Sequence, residues 1–208
     1  ETTAEGLVKP GGSRPGDRLL LTKGIAIEGT ALLAFERADE LGRALGDDLV
    51  RRAQGLLVDP GLSVVADIEA LRPVAGITAL HDPTEGGLGT GVRELGSASG
   101  CGAVIEEARL PVLPETAAIA GHFGLDPLGM LASGALLVAA EPEAVAGIEA
   151  AAARVGLPIA EIGHVVPEAE GFRIAGAAGR RDLPEWTTDE VSRALGGLPT
   201  AALAAAGR

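Results

Sequence analysis

The chain has 208 residues, enough for one sizeable domain or two small ones, and 47% of them are hydrophobic, so a core can be filled. A formal charge of −12, with three Phe, one Trp and no Tyr, argues against nucleic-acid binding: most of the surface repels a phosphate backbone and bases find no stacking platform. No apolar run approaches ~20 residues, so no segment is built to span a membrane, and the lone Cys101 forms no internal disulfide, which fits a reducing cytoplasm.

Residues 1–16 are polar, with turn signals at Pro10-Gly11-Gly12 and Pro15-Gly16-Asp17, and read as a connection arriving from an upstream domain. The only methionine is Met130, so Glu1 follows no initiator and the chain reads as a piece of something longer. Leu19-Leu20-Leu21 mark a short buried strand. It runs into Lys23-Gly24-Ile25-Ala26-Ile27-Glu28-Gly29-Thr30, a glycine-bearing strand-to-helix junction. Lys23 there either reaches a phosphate or is simply solvated. The helix continues through Leu32, Leu33 and Phe35 towards Ala44, with Leu41 and Leu45 on its apolar stripe. Residues 47–72 read as two further helices broken at Val58-Asp59-Pro60-Gly61, the second with Val64, Val65, Ile68 and Leu71 on its apolar face.

Ala75 to Leu80 is short, apolar and partly β-branched, and reads as a buried strand. It leads into His81-Asp82-Pro83-Thr84-Glu85-Gly86-Gly87-Leu88, a stretch dense in proton-transfer and ligand groups. Asp82 precedes proline and is biased away from α geometry, so the strand stops there. Asp82 is then placed to cap a helix, with Pro83 in its first turn, Glu85 completing a capping box, and Leu88, Val92 and Leu95 at helical spacing. The free N–H groups of such a helix end attract phosphate or carboxylate, and Gly86 and Gly87 allow close approach. The alternative is an ordinary capped helix whose glycines only relieve crowding.

Gly102 to Leu110 reads as a strand ending at Pro111, with Cys101 a small strand residue and not a nucleophile. A helix from Pro114 towards His122 follows, then Asp126-Pro127-Leu128, an Asp cap with proline in the first turn. Ala135 to Ala140 is a strand buried on both faces, and Pro142 to Val155 an alanine-rich helix with Val145, Ile148 and Ala152 inward. Ile159 to Val166 and Phe172 to Ala175 read as a closing hairpin with an acidic turn. Thr187-Thr188-Asp189-Glu190 is placed to cap one more helix, and the stretch from Thr200 reads as disordered. His122 and His164 have no Cys or His partners, so no metal site is assigned. The order of elements gives a layered α/β (α+β) domain with a mixed β-sheet covered by helices.

Pro15-Gly16-Asp17, Lys23 to Thr30, His81 to Leu88, and Leu125-Asp126-Pro127-Leu128 leading into Ser133-Gly134-Ala135-Leu136-Leu137-Val138 together resemble the C-terminal domain of the aminoimidazole ribonucleotide (AIR) synthetase superfamily. The likeness is nearest its AIR synthase-related and hydrogenase-maturation branches and runs in order over roughly residues 9–176. It implies a PurM C-terminal-domain-like fold in 17–178, with 1–16 arriving from an N-terminal ATP-binding domain and 179–208 a partly helical or disordered extension. Members include AIR synthetase, selenophosphate synthetase, thiamine-monophosphate kinase and the carbamoyl dehydratase that makes cyanide for nickel–iron hydrogenases. The resemblance implies a cytoplasmic homodimer that uses ATP on a small substrate, and several members transfer the γ-phosphoryl to an amide or carbonyl oxygen. ATP and magnesium are held mainly by the N-terminal domain. On this chain the resemblance implies a cleft with His81 and Asp82 catalytic, Thr84, Gly86 and Gly87 binding nucleotide or substrate, and Lys23 and Glu28 at its edge. The hydrogenase-maturation enzymes end in a reactive cysteine, whereas this sequence ends Ala206-Gly207-Arg208, so that route is excluded if Arg208 is the terminus. Two other functions remain open: a non-catalytic module binding an anion or a partner, and a small-molecule kinase of the thiamine-monophosphate type.

Overall fold

The computed structural model describes residues 10–196; the expectations for residues 1–9 and for the stretch from Thr200 lie outside them. Fifteen α-helices and β-strands follow in chain order, β1 (Arg18–Thr22), α1 (Ile27–Glu36), α2 (Ala38–Leu45), α3 (Asp47–Gly55), α4 (Val65–Leu71), β2 (Ile77–His81), α5 (Gly87–Ala98) and β3 (Cys101–Glu106) forming the first half. Then come α6 (Pro114–Phe123), β4 (Leu137–Ala140), α7 (Val145–Arg154), β5 (Ile159–Pro167), β6 (Phe172–Gly176), β7 (Gly179–Asp182) and α8 (Glu190–Leu195). The strands form one seven-stranded mixed sheet in the order β2-β4-β1-β5-β3-β6-β7, in which only β3 and β6 pair in parallel. The layered α/β expectation holds.

Period-two alternation explains how the central strands are buried on both faces. Leu19 and Leu21 pack with Leu88, Val92 and Leu95 of α5, whereas Leu20 between them packs on the other face with Leu71 of α4 and Ile148 of α7. A third core joins α1, α2, α3, α6 and α8 through Leu33, Leu41, Val50, Ile119 and Val191.

Several expectations are corrected. The helix read from Ile27 to Ala44 is two helices, because Arg37 leaves helical geometry (φ −121°, ψ 29°). The turn brings Leu41 into the same core as Leu33 while Phe35 stays exposed. The strand read to Leu110 stops at Glu106 and continues as a 3₁₀ turn over Glu107–Arg109. β5 and β6 do not form a hairpin: β3 lies between them, paired with both, and its inward Ala103 and Ile105 require a central position. The hairpin partner of β6 is β7, so the sheet continues beyond residue 178. β2 is an edge strand in which only Ala79 is fully buried.

Only part of the face expected of this helix turns inward: Leu71 of α4 is buried and Val64 just before it packs on the same core, but the other two residues do not. Val65 is 61% exposed and Ile68 37%, while Asp67 is buried. Asp67 accepts a hydrogen bond from Thr22 Oγ1 at 2.7 Å and lies 3.2 Å from Lys23 Nζ, whose ammonium also donates to the carbonyl of Ser63 at 2.8 Å. A buried charge is tolerated only when paired and hydrogen-bonded, and this network holds α4 with its carboxylate inward.

Candidate functional site

The turn after β2 differs from a capped helix. Residues 82–84 run on without helical structure, and α5 begins only at Gly87. The Asp82–Glu85 capping box is therefore not formed. The reason is local backbone geometry: Gly86 (φ 74°) and Gly87 (φ 71°) both take left-handed conformations, which only glycine adopts without strain. A Cβ on Gly87 would also overlap the carbonyl of Leu128. The carbonyl of Thr84 accepts from Gly87 N at 3.2 Å and from Ala132 N at 3.0 Å, so the turn is pinned to the segment leading into β4.

The N–H of Gly86 is not free for a ligand. It donates to Asp189 Oδ2 at 2.8 Å, while Asp189 Oδ1 accepts from Val191 N at 2.8 Å and caps α8 as its sequence suggested. The anion expected at this helix end is supplied by the chain itself. Trp186, three residues earlier, packs against both Gly89 of α5 and Gly129, where any Cβ would collide with the indole. Neither Asp189 at the turn nor Trp186 was foreseen in this role; their sequence neighbourhood suggested only a helix cap.

His81 and Asp82 stand side by side at the end of β2. His81 Nε2 lies 2.7 Å from Glu94 Oε2 of α5, and its Nδ1 is 3.9 Å from Asp82 Oδ1. The Asp82 side chain is 71% exposed. Both residues line a groove of about 520 Å³ between α4 and β2, walled by Ile68, Leu80 and Leu136, to which Arg72 adds a cation. Thr84 is exposed beside them. This gives a proton carrier, an open carboxylate and apolar walls in one place.

Lys23 and Glu28 are not brought to this turn by any hydrogen bond or ion pair among the described residues. Lys23 is neither solvated nor turned to the groove's acid–base groups, because its ammonium is spent on Asp67 and Ser63. Glu28 sits half-buried in the first turn of α1. Cys101 is a buried β3 residue whose thiol is pushed up by desolvation, with Asp17 and Glu168 adding to the effect. His122 bonds Glu40 at 3.1 Å, a contact that, with the Arg37 guanidinium, holds the Glu40 carboxyl below the usual range. Among the described residues no three His, Cys, Asp or Glu side chains gather as a metal site.

Residues 14–175 match the family described as AIR synthase related protein, C-terminal domain. The carbamoyl dehydratase HypE of Cupriavidus necator is 35% identical over 184 residues, covering 82% of this chain and 48% of its own length. The crystal structure of Escherichia coli HypE, a hydrogenase maturation protein, superposes with a TM-score of 0.72 at 29% identity over 90% of this chain and 55% of that one. A structure of HypE in complex with ATP shares the fold, with a TM-score of 0.67 at 21% identity over 92% of this chain and 57% of that one. The chain thus spans about half the length of the curated relatives it matches. With the matching segment taking in β1, the His81–Gly87 turn and β3 to β6, the chain belongs to the AIR synthase-related family and corresponds to its C-terminal domain.

Proposed function

We propose that this chain is the C-terminal half of an ATP-dependent AIR synthase-related enzyme that phosphorylates an amide or carbonyl oxygen and so makes it a leaving group. The observation that carries this reading is the pairing of His81 with the exposed Asp82 at an apolar groove on the sheet edge. Phosphoryl transfer asks a protein mainly to position reactants and offset spread negative charge, and the acceptor must lose or shift a proton. Asp82 orients an acceptor N–H or a water, and His81 moves the proton. Thr84 borders the nucleotide or substrate, and Gly86 and Gly87 shape the turn that presents it. ATP and magnesium sit mainly on the N-terminal domain, with a homodimer as the working form. The outward Val65 and Ile68 of α4 support a two-domain site, since Ile68 lines the same groove and a second domain would cover this apolar face.

The test is to supply the two-domain protein with ATP and a panel of carbamoyl, amide and alcohol acceptors, following phosphate release and product mass. Phosphate release with a dehydrated or substituted product supports the proposal. A phosphorylated product that accumulates makes the protein a small-molecule kinase of the thiamine-monophosphate type. A second reading is a non-catalytic module that binds an anion or a partner; of the two, the partner is favoured by one observation, that Asp189 already fills the Gly86 N–H and leaves that helix end no donor for an anion. Absence of turnover with every acceptor supports that reading.

A further inference from the structure

The contact between His81 and Glu94 determines which atom of the imidazole is available to a substrate. Val92 and Leu95 are buried in the core on either side of Glu94, so the backbone of α5 is fixed there, and the Glu94 side chain, 58% exposed, reaches from it to the partly buried His81 ring. Nε2 and Oε2 are 2.7 Å apart. An ionised carboxylate only accepts hydrogen bonds, so the proton between them belongs to Nε2. Neutral imidazole carries one N–H, and once Nε2 holds it the lone pair falls on Nδ1. Nδ1 is on the side of Asp82, and at 3.9 Å from Oδ1 it is beyond hydrogen-bond distance and has no carboxylate partner there.

We propose that Glu94 is a positioning residue that holds His81 as the Nε2–H tautomer and thereby makes Nδ1 the proton-accepting atom beside the groove. This rests on the reading in which His81 moves a proton. In the step itself an acceptor N–H or O–H bond breaks, its electron pair stays on the acceptor atom, and the proton forms the Nδ1–H bond. The imidazolium so formed has N–H groups facing Glu94 on one side and Asp82 on the other. The Glu94 carboxylate, 2.7 Å from Nε2, offsets the charge.

The test uses the 208-residue chain labelled with ¹⁵N, with the His81 ring assigned by its loss in H81F. Long-range ¹H–¹⁵N correlation at a pH where the ring is neutral reads the tautomer directly. Wild type is expected to show protonated Nε2 and bare Nδ1. E94Q keeps that pattern, because its amide oxygen accepts the same N–H, whereas E94A gives a mixture of both tautomers with a faster-exchanging Nε2 proton. A protonated Nδ1 in wild type, or an E94A ring indistinguishable from wild type, overturns the proposal. In the two-domain protein E94A should lower kcat about tenfold with KM little changed, as expected for a misplaced acid–base group. Normal turnover by H81A would instead remove His81 from the chemistry, a separate failure, because the tautomer is read without substrate.

Discussion

Asp189 reaches across 103 positions of sequence to accept the backbone N–H of Gly86 at 2.8 Å, so the chain's last described helix is tied to its glycine turn. One carboxylate thereby serves two N–H groups, Gly86 at the turn and Val191 in α8. Replacing Asp189 by Ala should cost about 1 kcal/mol, typical of a lost cap or net hydrogen bond, and should accelerate amide exchange at Gly86 well before that of the core strands. Unchanged exchange at Gly86 would mean the bond does not persist in solution.

Trp186 provides its own reporter, being the only tryptophan. Gly129→Ala places a methyl group where the indole ring lies, and so does Gly89→Ala. Either change should shift the fluorescence to the red as the ring is displaced, with a loss of about 2 kcal/mol from overpacking. An unshifted emission spectrum would show that the indole does not pack against these two glycines in solution.

The Lys23–Asp67 pair makes a third case. Lys23→Met leaves the Asp67 carboxylate buried without its cation and should destabilise by about 3 kcal/mol. The double variant K23M/D67L removes the stranded charge and should recover part of that loss in urea unfolding. A double variant no more stable than K23M would show that Thr22 and the α4 packing, and not the charge pair, fix this helix.

What the sequence revealed follows the range of the forces involved. Leu19-Leu20-Leu21 and Ala135 to Ala140 were readable as buried strands because burial on both faces needs an unbroken apolar run. Pro114 marked the start of α6 because its fixed φ suits a first helical turn. The two glycines of the turn were visible too, but their left-handed geometry moves the helix start from Pro83 to Gly87, and a local capping rule cannot anticipate that. Long-range pairings stayed hidden. Nothing in Ile159 to Ala175 states that β3 inserts between β5 and β6, and the periodicity of α4 cannot reveal that Lys23 draws Asp67 inward. At the candidate site His81 and Asp82 stand out in the sequence as neighbours, but Glu94 does not, because its contact to His81 depends on how α5 lies against β2.

Acidification should loosen the C-terminal segment that carries Trp186 and Asp189. Hydrogen bonds from Arg193, and then from the Asp126 N–H, hold the Glu190 carboxyl below the usual glutamate range, against an opposing push from burial. A carboxyl whose folded value is depressed stabilises the fold above its unfolded value, and that contribution disappears as the pH falls through the folded value. The difference in Tm between wild type and E190Q should therefore be full near neutrality and shrink below about pH 4, where carboxylates protonate. A difference constant across that window would mean that Glu190 contributes through packing alone.

The most direct test of the central claim is phosphate release from ATP by the two-domain protein, compared between wild type and Asp82→Asn. Asparagine keeps the shape of an exposed side chain, so the fold and Tm should be unchanged. If Asp82 orients the acceptor, turnover falls at least about tenfold, as for other groups that act only on the reacting atoms. Equal turnover in the two proteins would contradict the account, because the groove beside β2 would then lie outside the chemistry.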